Sequence, residues 1–327
     1  MRIKPGDLRT LLLAALVVLA PAALRAQDTY PTRPILLVVP VPPGGAADFI
    51  ARTVGSKLAD SLGQSVVISN RGGAGGTIAS AGVAKAEPDG YTVLLNSSSL
   101  SSQAVLHKSL PYEPVNDFAP VVMLGISPSV LVAAPSKSWK SVADLVAAAK
   151  AKPGDMTYAS AGLGSASHMA AERLRLAANI DARHIPFRGP VEAFSEVMTG
   201  RLDFYFLPIA PALPNIKANR VVALAVSTPT RAVLLPDVPT VVEAGYPAAQ
   251  YLFWGGLAYP NRTRRAIINK LHNETRKALS VPAVQEKLAT LGVQPQPMSV
   301  DEFTRFVRDD VAATIKLARE INLTPTE

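Results

Sequence analysis

The stretch Ile35-Leu36-Leu37-Val38-Val39-Pro40-Val41-Pro42-Pro43-Gly44-Gly45-Ala46-Ala47-Asp48 restricts what this chain can become more than any other. Its unbroken apolar opening fits a strand buried on both faces. Prolines and glycines then end the strand, and Ile50, Val54, Leu58 and Leu62 recur at the period of a helix. A strand, a glycine turn and a helix in that order leave unpaired amides at the helix start. With the positive end of the helix dipole they suit an anion. Gly44 and Gly45 lack a Cβ, so a ligand can come close to the backbone there. Asp48 suits a cap of the helix start or a contact with a ligand amine or hydroxyl. The same letters also fit an ordinary strand-to-helix turn that holds no ligand.

Residues 1–26 read as a secretory signal peptide rather than as part of the fold. Arg2, Lys4 and Arg9 precede the apolar run from Leu11 to Ala20, Pro21 breaks it, and Leu24-Arg25-Ala26 offers a small residue for cleavage. The run is too short to span a bilayer. The expected location is the periplasm. Losing this segment removes four basic residues and one acidic residue, which takes the net charge from +8 to +5. The remaining basic residues are scattered, so nucleic acid is not an expected partner. The chain has no cysteine, which excludes disulfides, zinc thiolates and cysteine nucleophiles. The histidines at 107, 168, 184 and 272 have no metal-ligand spacing. No cofactor is expected.

Further along, Ser65–Ile68 reads as a second strand, followed by the turn Asn70-Arg71-Gly72-Gly73-Ala74-Gly75-Gly76 and a helix to about Lys85. This turn carries Ile78 where a dinucleotide-binding loop needs its third glycine, so a nicotinamide or flavin site is discounted. Tyr91–Leu95 is a third strand and delivers Asn96-Ser97-Ser98-Ser99, a row of hydroxyls at a strand's carboxyl end, where open α/β sheets bind ligands. A polar loop with capping serines is the plain alternative.

Strands at Phe118–Ile126 and Val130–Ala134 carry the chain into a second half with the same pattern. Ser141 caps a helix to about Lys152, and Met156–Ala159 is a strand. Ser160-Ala161-Gly162-Leu163-Gly164-Ser165 is its loop, and a helix from Ala166 buries Met169, Leu174 and Leu176. Pro236-Asp237-Val238-Pro239-Thr240 reads as a turn into a helix that stops at Gly245. Phe253–Tyr259 reads as a strand returning to the first half, and three helices follow to about Ile321, the last with Phe303, Phe306, Val307, Val311 and Ile315 on its core face. The alternation predicts α/β architecture with mostly parallel sheets. The length predicts two lobes, 27–128 with 253–327 and 129–252, and a ligand cleft between them.

Read together, several segments resemble the substrate-binding receptors of tripartite tricarboxylate transporters, the Bug receptors. They include 39–48, 70–76, Pro88-Asp89-Gly90-Tyr91-Thr92, Asp117-Phe118-Ala119-Pro120, Gly164-Ser165-Ala166-Ser167-His168, Gly200-Arg201-Leu202-Asp203 and Leu235-Pro236-Asp237-Val238-Pro239-Thr240. The resemblance implies a periplasmic binding protein type II fold that closes on a small carboxylate. It also implies membrane subunits of such a transporter as partners, or a sensor kinase in their place, and a monomeric receptor. Gly44, Gly45, Ala46 and Asp48 match the first-lobe site, and Ser97 and Ser98 stand where the family often has Thr and Gly. Ser160, Gly164, Ser165 and Ala166 match the second-lobe site, and Asp203 matches a residue near the cleft. Departures are Val41 in place of an aromatic residue, Leu207-Pro208 in place of Asp-Asn, and Arg188-Gly189-Pro190 in a usually small polar turn. A hydrolase in the same cleft is the competing class. It lacks a Gly-x-Ser-x-Gly elbow, a His-Glu-x-x-His and a P-loop, so no catalytic residues are assigned.

Overall fold

A computed structural model describes residues 30–323 and 325 except 42, 44, 45 and 188, and leaves the side chain of Ala46 undescribed. The signal-peptide reading, Gly44 and Gly45 therefore lie outside the described residues. Strand β1 (Ile35–Val39) is followed by helix α1 (Ala46–Leu62), β2 (Val66–Asn70), α2 (Thr77–Ala84), β3 (Thr92–Ser97) and α3 (Ser99–Leu106). Then come β4 (Phe118–Ser127), β5 (Ser129–Ala133), α4 (Val142–Ala151), β6 (Met156–Ser160) and α5 (Ala166–Ala178). Next are β7 (Ala182–Pro186), α6 (Pro190–Met198), β8 (Tyr205–Pro208), α7 (Ile209–Lys217) and β9 (Val222–Val226). Strand β10 (Phe253–Pro260) and helices α8 (Arg265–Ser280), α9 (Pro282–Thr290) and α10 (Val300–Glu320) complete the order.

Among the described residues, one sheet has the order β2-β1-β3-β10-β4. A second group has β8-β5-β9 beside β6-β7, and a parallel bridge between Tyr158 and Phe204 links the two pieces. The order β7-β6-β8-β5-β9 thus repeats the plan of the first sheet. In each, one strand lies antiparallel between two others: β10 between β3 and β4, and β5 between β8 and β9. The sheets are therefore mixed rather than mostly parallel. Periodicity along a strand sets which face is buried but not the direction of its neighbour. Here the inserted strand arrives from the other half of the chain.

Separate apolar cores sit on the two sheets. Ile35, Val54, Leu58 and Leu271 belong to the first, and Tyr158, Met169, Leu174 and Phe204 to the second. Helix α10 joins them, because Phe303 and Val307 pack beside Trp254 while Leu317 packs into the second core. Gly256 makes room for that helix, since a Cβ there would lie 2.4 Å from the Phe303 ring. The helix expected before Gly245 is only one turn. Thr240 and Glu243 bond each other's amides, and Gly245 at φ +93° then reverses the chain.

Candidate functional site

The end of β3 is held by β10, whose Gly255 pairs with Ser97 and whose Trp254 carbonyl accepts from the Ser98 amide at 3.2 Å. Asn96 turns its Oδ1 back onto the Ser97 amide at 2.8 Å, which leaves its Nδ2 buried without a partner among the described residues. Ser98 is 2% exposed; its hydroxyl makes no well-formed hydrogen bond within the described residues. Burial, and after it the Asp310 carboxylate, push the neighbouring Tyr251 phenol up to about 12. Ser101 instead donates to Asp310 Oδ2 at 2.6 Å, where Trp254 Nε1 also donates at 2.9 Å. Burial raises the Asp310 carboxyl above its ordinary range, and these two donors hold it partly down.

The second loop, between β6 and α5, is largely tied to itself. Ser160 Oγ is fully buried, donates to the Gly162 carbonyl at 3.0 Å, and lies 2.6 Å from His184 Nε2. The Gly164 amide donates to His168 Nδ1 at 3.0 Å, and the Ala161 amide to Ser167 Oγ at 2.9 Å. Ser165 caps α5 by accepting from the His168 amide at 3.3 Å. The opening amides of α5 at Ala166 and Ser167 remain, since the first amides of a helix have no carbonyl of their own to reach. Gly164 at φ +67° is the tightest point. A Cβ on it would stand 2.4 Å from the Leu106 side chain at the end of α3.

These two loops face each other across a chamber of about 290 Å³. Gly75, Ser98, Ser99, Ser102 and Gln103 form one wall, Gly164, Ser165 and Ala166 the other, and Tyr251 and Phe253 lie between. Hydroxyls on one side and a helix start on the other give donors suited to an oxyanion. Of the residues singled out from the sequence, Ser98, Gly164, Ser165 and Ala166 line this chamber, and Ser97 lines an adjoining one. Asp48 is buried in the opening turn of α1. It takes Arg52 Nε at 3.1 Å and Asn70 Nδ2 at 3.0 Å, and that Asn70 nitrogen also reaches the Val41 carbonyl. Asp203 is anchored by Lys137 at 2.6 Å and by the Thr157 amide at 2.7 Å. Asp48, Ser160 and Asp203 line neither chamber.

Ser102 and Gln103 were not singled out, although Ser102 stands four residues after Ser98 and hence on the same helical face. Gly75 lies in the turn that lacks the dinucleotide spacing; at φ +61° it approaches Gln103, whose Nε2 donates to its carbonyl at 3.2 Å. Behind the second loop, His168 and His184 stack with ring centroids 4.0 Å apart, next to Tyr158. Tyr158 donates to Glu172, which also accepts from Arg175 Nε at 2.9 Å. Burial, then His184, then Arg175 push His168 down to about 3, so it stays neutral and accepts from Gly164. In this loop the His168 ring is the acceptor that holds the Gly164 amide.

The chain matches the tripartite tricarboxylate transporter family receptor over residues 50–323. It is 37% identical over 301 residues to protein BugT of Bordetella pertussis, which covers 91% of this chain and 92% of BugT. The structure of R. palustris Rpa4515 with adipate is 30% identical, covers 90% of this chain and 99% of that one, and superposes with a TM-score of 0.77. The periplasmic binding protein BugD is 29% identical, covers 91% of this chain and 100% of that one, and has a TM-score of 0.74. The fold is accordingly the α/β periplasmic binding protein fold.

Proposed function

We propose a ligand, a partner and a location for this chain, which belongs to the tripartite tricarboxylate transporter receptor family, the Bug receptors. Members are solute-binding receptors and not enzymes. The ligand is a small carboxylate held between the Ser98–Gln103 segment and the Gly164–Ala166 turn. The observation that carries this reading is the single chamber that both segments line. Each charge-assisted hydrogen bond contributes about 1.5–3 kcal/mol. A few of them, less the cost of ordering and desolvation, reach the roughly −8 kcal/mol of a micromolar complex.

The two sheets form lobes over 27–128 with 253–327 and over 129–252. In support, the chain passes from β4 to β5 at Pro128 and returns only at β10. Since each lobe carries part of the donor set, ligand favours the closed state. A membrane transporter subunit then reads closure as occupancy. The location is the periplasm, the compartment named for the BugD relative.

A thermal-shift screen over mono-, di- and tricarboxylates and amino acids tests this. At least one carboxylate is expected to raise the melting temperature, with no turnover of the bound compound. Ser165→Leu is expected to weaken that ligand by tenfold or more, because the side chain enters the chamber. Unchanged affinity in a folded Ser165→Leu protein would move the site elsewhere.

A further inference from the structure

Resting on the carboxylate reading above, we infer that Gln103 is a specificity residue of this site: its side-chain amide is locked in one orientation and meets the bound group only as a hydrogen-bond donor. Three neighbours set that orientation. The Gly75 carbonyl can only accept, so the amide nitrogen is the end that faces it, at 3.2 Å. The amide oxygen then lies 3.2 Å from Thr77 Oγ1 and 2.5 Å from His107 Nε2. Both of these donate to it, which puts a proton of His107 on Nε2. A flipped amide would set two acceptors face to face at Gly75. Gln103 is 7% exposed, so water does not make good that loss.

With both lone pairs of its oxygen taken, the amide has its second N–H left. Gln103 and Gly75 both line the hydroxyl chamber, and Gly75 also borders the adjoining chamber of about 240 Å³. Only a glycine at 75 admits the amide, since a Cβ there would stand 2.4 Å from Nε2. Ser98 and Ser102 belong to the same wall, but a hydroxyl turns to donate or to accept as its partner requires. A locked N–H does not adapt. On the facing wall the opening amides of α5, from Ala166, also only donate. A carboxylate offers an oxygen to each wall and gains charge-assisted bonds from both. A carboxamide has one oxygen, so its NH2 group meets a donor on one wall or the other. Gln103 is the first-sheet half of this discrimination, with Thr77 and His107 as the residues that position it.

Ligand-observed NMR titration, which follows weak as well as tight binding, tests this with acetate, benzoate and adipate set against acetamide, benzamide and adipamide. The wild-type protein is expected to bind at least one acid tenfold or more tightly than its amide. In folded Gln103→Met that acid should weaken by tenfold or more and its amide by less than threefold. Equal fractional losses would make Gln103 a mere support of the Gly75 turn and overturn the inference, while leaving the carboxylate reading intact. If none of the three acids binds the wild-type protein, the carboxylate reading falls and this inference with it. The lock itself is tested at position 107. His107→Phe removes one donor to the amide oxygen and should weaken the acid by threefold or more. His107→Gln can still donate there and should keep the acid within twofold of wild type. Unchanged acid affinity in His107→Phe, or equal losses in the two variants, would show that this bond does not hold the amide and would overturn the inference.

Discussion

Gly164→Val is expected to lower both the melting temperature and the affinity for ligand more than any other single change in the chamber walls. Two costs combine. Gly164 has a left-handed backbone at φ +67°, a conformation that costs about 1–2 kcal/mol for a residue with a side chain. Its Cβ would stand 2.4 Å from Leu106, and overpacking of this kind typically costs about 1–3 kcal/mol. The combined loss should move the melting temperature by several degrees. Because the overlap falls where the two chamber walls approach each other, affinity should fall with it. Gly63→Val separates the two causes: Gly63 has nearly the same φ, +66°, with nothing within 4 Å of an added Cβ. That variant should lose only the smaller, conformational part and keep full affinity. Equal losses from both would show that packing against Leu106 does not matter.

Acid is expected to unfold the protein through the histidine pair. His168 has a folded-state value of about 3, depressed by burial, by His184 and by Arg175. The unfolded chain titrates near 6.5. Between these values the unfolded state binds the additional proton, so stability decreases as pH falls from about 6.5 towards 3. One such group contributes a slope of up to about 1.4 kcal/mol per pH unit. His184 is shifted in the same direction, again mainly by burial, and with its ring stacked at 4.0 Å it opposes a charge on His168. His168→Asn offers an amide oxygen to the Gly164 amide and carries no titrating ring. Its denaturation curves between pH 6.5 and 4 should be flatter than the wild type's, with ligand affinity at neutral pH within a few fold. Identical pH slopes for the two proteins would assign the acid sensitivity to other groups. Loss of affinity at neutral pH would mean that the ring itself, and not just an acceptor, shapes the turn.

Local chemistry made much of the fold legible in the sequence. The apolar run at Ile35 gives β1, and the fourfold period from Ile50 gives α1, with Val54 and Leu58 in the core. Ser141 and Ser165 cap their helices as their residue types suggest. Ser98, Gly164, Ser165 and Ala166 could be singled out because small residues, hydroxyls and helix starts cluster in short segments. Asp48 and Asp203 were equally conspicuous, but an acid's letter does not reveal its partner. Here Arg52 and Asn70 hold one, and Lys137 and Thr157 hold the other.

Short-range patterns place most of the strands, turns and helices, because backbone preference and burial period act over a few neighbouring residues. Contacts between distant segments set the antiparallel place of β10 between β3 and β4 and the stacking of His168 on His184. The same long-range packing brings Gln103 and Gly75 to Gly164 and Ser165 around one space, and Val41, Leu124 and Val293 around the next. Each of these pairings joins residues far apart in the chain. Packing of whole elements sets them, and no local pattern encodes such a choice.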